Sequence, residues 1–257
     1  MGMDAVKLEK EITNLCSRVS GSKSVIVENM RTGEKIEING NEIFPAASLI
    51  KLPILLTLFS MAEKGQIVLE TRVEVTKDCH VGGFGVLKDL ENGLNPTIRD
   101  LAVLMITLSD NIATNLLIDR IGMPEINCEI KALEMNDTAL LRKMMDAEAK
   151  KVGLDNDTSA ADIRKILKAV LKSPFREEIL DILFRQQCNN KLPVFMGEEI
   201  RFAHKTGDLP GVEHDAGIIC ANGEEIIVIV LTKDLADNQE GIWLNQEIGK
   251  LLYRNLY

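Results

Sequence analysis

The chain has 257 residues, 46% of them hydrophobic and 27% charged, which allows a sizeable core and excludes a disordered or fibrous chain. Thirty Lys and Arg against 39 Asp and Glu leave a net charge of −9, which argues against a nucleic-acid partner, because phosphate contacts rely on cations. An aromatic content of 4% argues against a base-stacking platform.

The opening Met1-Gly2-Met3 reads as a cloning remnant ahead of a start at Met3, and the segment lacks an apolar signal-peptide core. The chain as given is therefore expected in the cytoplasm, or in the periplasm or outside the cell if a leader has been removed. Ala5 to Val19 carries Ala5, Leu8, Ile12, Leu15 and Val19 at helical spacing. Ser24 to Met30 and Lys35 to Asn39 flank Arg-Thr-Gly and read as a hairpin. Helical patterns follow over Leu49–Ala62, Ile98–Leu108, Ile112–Ile121, Glu125–Leu133, Ala160–Leu171 and Glu177–Phe184. Ile200 to His204 predicts a further strand. Gly217 to Ala221 and Glu225 to Thr232 flank Asn222-Gly223, the strongest short hairpin signal in the chain. Asn238 to Leu252 predicts a closing helix.

These elements predict an α/β fold of the α+β type. A five-stranded antiparallel sheet comes from both chain ends, is covered by the terminal helices, and carries an inserted helical subdomain. The expected boundaries are one domain over 1–257, with 1–44 and 190–257 forming the α/β part and 45–189 the helical part. The longest apolar run, Leu52 to Phe59, is too short to span a membrane, so no membrane partner is expected. Cys16, Cys79, Cys128, Cys188 and Cys220 are odd in number and widely spaced, and only three His accompany them. They predict buried free thiols rather than disulfides or a zinc site, and no metal or cofactor is expected.

Three short motifs carry chemistry. Ser48-Leu49-Ile50-Lys51 opens an apolar helical run, where residues three apart share a face and the dipole favours a developing oxyanion. The plain alternative is a capping Ser and a surface Lys. A second S-x-x-K, Ser20 to Lys23, lies in a Gly/Ser loop where nothing fixes the geometry. Ser109-Asp110-Asn111 separates two helical patterns and alone reads as a cap and turn. Lys205-Thr206-Gly207 ends the strand pattern Ile200 to His204, where a Lys beside a small hydroxyl suits a carboxylate ligand.

In this order, S-x-x-K, S-D-N and K-T-G resemble the signature of class A β-lactamases and penicillin-binding serine hydrolases. The resemblance extends through FPAASLIKLPIL, the helix pair around S-D-N, AHKTGDLPGVEHDAGII and the final strand and helix. It implies Ser48 as nucleophile, Lys51 as the amine taking its proton, and Ser109 as the proton relay to the leaving nitrogen. It implies Asn111 on the substrate amide, and Lys205 and Thr206 on its carboxylate. Gly207 leaves the strand edge open, and the backbone N–H groups of Ser48 and Asp208 would form the oxyanion hole. The implied substrate is a small molecule, a β-lactam or an acyl-peptide, and a monomer is expected.

The chain departs from the family in places. The E-x-x-L-N motif that supplies the deacylating Glu is absent. An ungapped count puts Asp146 there and a slip of two puts Glu148 there, whereas Leu141, Met144, Met145 and Ala149 also fit an ordinary helix with both acids on its solvated face. An Arg expected shortly after K-T-G is missing. His214 is the one candidate substitute, with a structural role as the plainer reading. Asp208 puts an acid beside the oxyanion donor, where it would repel anionic substrates. His80 to Val86 falls at a cleft-edge loop of the family and lacks a phosphate-loop pattern. β-Lactam hydrolysis is the leading expectation. The alternatives are a D-alanyl-D-alanine peptidase or esterase with slow deacylation, or a non-catalytic sensor of β-lactams or peptides.

Overall fold

Strand alternation decides the architecture. The computed structural model describes residues 5–256, so Met1-Gly2-Met3 lies outside the described residues. In β1 (Ser22–Asn29), Ile26 joins one hydrophobic cluster while Val25 and Val27 join another. β2 (Lys35–Ile38) pairs antiparallel with it. In β7 (Glu224–Lys233), Ile227, Ile229 and Leu231 face the first cluster, and Ile226, Val228 and Val230 the second. A period of two with both faces apolar means a sheet covered on both sides. With β5 (Arg201–Leu209) and β6 (Val212–Ala221), the order is β2-β1-β7-β6-β5 throughout, all pairs antiparallel. Asn222 and Gly223 both have positive φ, 53° and 73°, the turn that their sequence predicts between β6 and β7.

One face is covered by α1 (Ala5–Cys16), through Leu8 and Ile12, and by α9 (Asn238–Leu256), through Leu244, Ile248 and Leu252. The other carries the helical body. Its centre is α2 (Lys51–Glu63), every residue of which is buried from Lys51 to Phe59. Such a helix is apolar all round because neighbours surround it. Those neighbours include α3 (Ile98–Thr107), α4 (Asn111–Ile121), α5 (Met123–Ala132) and α7 (Ala160–Lys172). α7 and α8 (Arg176–Phe184) join the helical body to the sheet. Among the described residues, no helix is long and apolar enough to cross a membrane.

Three expectations need correction. The strand carrying K-T-G does not end there but continues through Gly207 to Leu209, paired with β6 along its length. The segment 141–149 is not one helix: only α6 (Ala147–Lys151) is helical. Before it, Asn156 Oδ1 accepts from the backbone N–H groups of Leu141 and Arg142, and Asn115 does the same for Met144. These side chains take the donors a helix would use. Just before the segment, Ala139 bridges to Asp157 in a two-stranded sheet of β3 (Ile43–Pro45) and β4 (Asp157–Ser159), which the sequence pattern did not signal. Finally, all five cysteines are free, but only Cys16 is buried, while Cys128 is exposed.

Candidate active site

Ser48 lies on a 3-10 turn, Ala47–Ile50, that leads straight into α2. Ala47 has φ of 46°, and Ser109, at the entry to α4, has φ of 53°. Left-handed backbone at residues with a Cβ is costly and persists where surrounding structure holds it. Here it aims two hydroxyls at one point: Ser109 Oγ donates to Ser48 Oγ at 2.9 Å. Asp110, not Ser109, caps α4, accepting from Ala113 N with one oxygen and from Val86 N and Leu87 N with the other. That carboxylate ties the S-D-N turn to the 82–87 loop.

Lys51 is fully buried one helical turn after Ser48. Its Nζ stands 3.1 Å from Ser48 Oγ, 2.9 Å from Ser109 Oγ, 2.7 Å from Ser109 O and 3.0 Å from Asn111 Oδ1. Asn111 Nδ2 in turn donates to Gly82 O. Burial, with the Lys205 cation second, pushes the Lys51 ammonium well below the ordinary lysine range. A neutral amine there donates to the two pure acceptors, Ser109 O and Asn111 Oδ1, and its single lone pair is left for the Ser48 hydroxyl, because the Ser109 proton is already given to Ser48 Oγ.

Lys205, also fully buried, donates to Ser109 Oγ at 3.1 Å and to Thr206 O at 2.8 Å. Burial lowers its pKa to about 8. The Thr206 hydroxyl is buried and has no hydrogen-bond partner in the fold. Gly207 brings β5 against the Ser48 turn: a Cβ there would lie 3.2 Å from both Ser48 N and Ala47 Cβ. The strand therefore passes the Ser48 N–H with no side chain between them.

A cleft of about 360 Å³ opens over this cluster. Its lining includes Ser48 and Asn111, the apolar Phe84, Met144 and Met145, and Asp208 to Pro210 at the end of β5. A further cavity of about 590 Å³, lined by Arg31, Arg176 and Arg201 among others, contains none of these residues.

The remaining predicted residues fall elsewhere. Asp146 is not among the residues lining the cleft: it is the N-cap of α6, accepting from Ala149 N at 2.9 Å. Glu148 is 83% exposed and paired with Lys151. From this loop Arg142, Met144 and Met145 line the cleft, and among these Met144 has its backbone N–H and C=O both held by the Asn115 side chain. His214 is buried; its Nε2 donates to Pro45 O and its Nδ1 accepts from Thr232 N, an arrangement that needs the neutral ring. Burial accordingly drops its pKa to about 4, so it supplies no cation in place of an Arg. Asp208 is not a lone acid, because Lys191 Nζ lies 2.6 Å from its Oδ1. Sequence reasoning missed Lys191 and Asn115. Buried, Lys191 breaks the rule that lysines face solvent, and Asn115 has only its place mid-helix in an apolar run as a signal.

A model described as the β-lactamase enzyme family matches residues 7–256. β-Lactamase L2 of Stenotrophomonas maltophilia is 28% identical over 197 residues, a match covering 74% of this chain and 65% of that protein. β-Lactamase VEB-1 of Pseudomonas aeruginosa is 24% identical, covering 94% and 86%. A β-lactamase structure from Sphaerobacter thermophilus superposes with a TM-score of 0.87 at 29% identity, covering 96% of both chains. A mutant of PBP-A, described as an acyl-enzyme complex with penicillin G, superposes with a TM-score of 0.86 at 29% identity, covering 97% of this chain and 96% of its own.

Proposed function

This chain belongs to the β-lactamase enzyme family, and from that premise we propose that it is a serine hydrolase that opens β-lactam amides through an ester on Ser48. The neutral Lys51 amine takes the Ser48 proton as Oγ bonds to the lactam carbonyl carbon. The N–H groups of Ser48 and Asp208 receive the oxyanion, an effect that often supplies the largest share of catalysis. The C–N bond then breaks, Ser109 gives its proton to the leaving nitrogen, and the Lys51 ammonium reprotonates Ser109. Lys205 and the unpartnered Thr206 hydroxyl hold the substrate carboxylate. The observation that carries this reading is the fully buried Lys51 amine 3.1 Å from Ser48 Oγ and 2.9 Å from Ser109 Oγ.

A second observation bears on the fate of the ester. Met144 and Met145 line the cleft from the loop after S-D-N, and among the described residues Asp208, ion-paired to Lys191, is the one acid in the lining. A general base for water is a large contributor to hydrolysis, so acylation should outrun deacylation. This favours the penicillin-binding end of the family, a peptidase-like or esterase-like enzyme with a long-lived adduct, as the second reading. Intact-protein mass spectrometry with benzylpenicillin tests both. A gain equal to the whole penicillin, slow to decay, supports acylation with slow hydrolysis, whereas rapid turnover without a detectable adduct supports an efficient lactamase. The absence of both an adduct and turnover would contradict the proposal.

A further inference from the structure

Lys191 is fully buried behind the wall of the cleft, a place where a lysine needs a reason. Its ammonium lies 2.6 Å from Asp208 Oδ1 and 2.6 Å from Glu213 Oε2, and donates to His214 O at 3.0 Å. Asn238 Nδ2 closes the cluster on Glu213 Oε1. One cation thus faces two acids, and His214 beside them is neutral. The arrangement is also directional. Lys191 and Glu213 are buried at the back, while the Asp208 side chain, 31% exposed, is the part that reaches the cleft. Burial would raise the Asp208 carboxyl, but the Lys191 cation outweighs it and holds the group below its usual range, so what lines the cleft there is a carboxylate with its ammonium partner behind it.

We propose that the Asp208 carboxylate, presented on the cleft wall by the buried ammonium of Lys191, selects acyl donors whose side chain bears a cation over those bearing a second anion. This rests on the acylation reading above and names the substrate class of that same site. Ser48 and Asp208 line the same cleft of about 360 Å³, so a charged substituent on a Ser48-bound acyl group shares that cleft with the carboxylate, where charges closer than the Debye length of about 8 Å at physiological salt are only partly screened. Lys205 does not reverse the preference, because it is engaged by the ring carboxylate that all penicillins share. Arg142, the other charge in the lining, is held by Asp155 at 2.7 Å.

The test uses three penicillins with one phenylacetyl side chain: unsubstituted, α-amino and α-carboxy. Second-order acylation rates are read by intact mass. The α-amino compound should react at least about fivefold faster than the α-carboxy compound, the scale of partly exposed charge pairs. In Asp208→Asn the ratio should collapse toward one. A wild-type ratio at or below one, or one unchanged in Asp208→Asn, overturns the proposal. If that variant melts early, salt decides instead. Raising NaCl from about 0.05 to 0.5 M should shrink the wild-type ratio, and a salt-independent ratio contradicts an electrostatic selector. If the unsubstituted penicillin does not acylate the protein, the parent reading fails and this one falls with it. Acylation by all three at equal rates defeats the selector alone.

Discussion

The side-chain amide of Asn115 grips both backbone atoms of Met144, its Oδ1 accepting from Met144 N at 2.8 Å and its Nδ2 donating to Met144 O at 3.1 Å. The grip is on main-chain atoms, so it fixes the place of residue 144 whatever its side chain. Met144→Glu should therefore deliver a carboxylate to the cleft without rebuilding the loop. We expect the penicillin adduct of this variant to decay at least about tenfold faster than wild type, with Met144→Gln showing no such gain. The check is the adduct lifetime by intact mass, and equal lifetimes for Glu and Gln would mean that residue 144 does not address the water.

Asp146 and Glu148 should prove irrelevant to the ester. Asp146→Asn and Glu148→Gln are expected to leave the adduct lifetime unchanged, because one carboxylate caps α6 and the other pairs with Lys151 in solvent. Asp146→Ala should cost about 1 kcal/mol of stability through the lost cap, read by urea unfolding. A slowed decay in Asp146→Asn would return that residue to the reaction.

The alkaline limb of the pH profile should report Lys205. With a pKa of about 8, its ammonium is lost as pH rises past that value, and with it the carboxylate contact. β-Lactam acylation should thus fall above pH 8, while a neutral ester such as p-nitrophenyl acetate should show no such loss. Lys205→Arg should move the limb upward, since guanidinium stays charged. The same limb with both substrates would assign Lys205 to proton transfer instead.

Acid should weaken the fold through His214. Its folded pKa of about 4 lies below the ordinary value near 6.5, so between these values the unfolded chain binds the extra proton. The stability it contributes is complete above about pH 6.5 and is lost as pH falls toward 4, on the order of 3 kcal/mol in all. Urea midpoints at pH 7 and 4.5 measure this, and His214→Gln should flatten the dependence. An equally steep fall in that variant would place the sensitivity elsewhere.

The motifs were readable because they depend on local geometry. Three residues of helix join Ser48 to Lys51, and Asp110 predicts its own cap. Strand alternation likewise gave the sheet, since one core lies on each of its faces. What escaped was carried by long-range side chains. Counting along the loop after S-D-N led to Asp146, because nothing in 141–149 shows that Asn115 and Asn156 hold its backbone out of a helix. Lys191 sits in a polar stretch, Asn-Asn-Lys, that reads as solvated, and only the fold places Asp208 and Glu213 around it.

The central claim is that Ser48, activated by Lys51, is the acylated residue. The most direct measurement is peptide mapping after labelling with benzylpenicillin, which should put the added mass on tryptic peptide 36–51. Ser48→Ala should abolish the adduct, and Lys51→Ala should slow it by about 100-fold or more. Ser20→Ala, whose hydroxyl instead donates to Glu240 and accepts from Ala236 N, should label at the wild-type rate. Undiminished labelling of the Ser48→Ala protein, or the mass on any other peptide, would contradict the account.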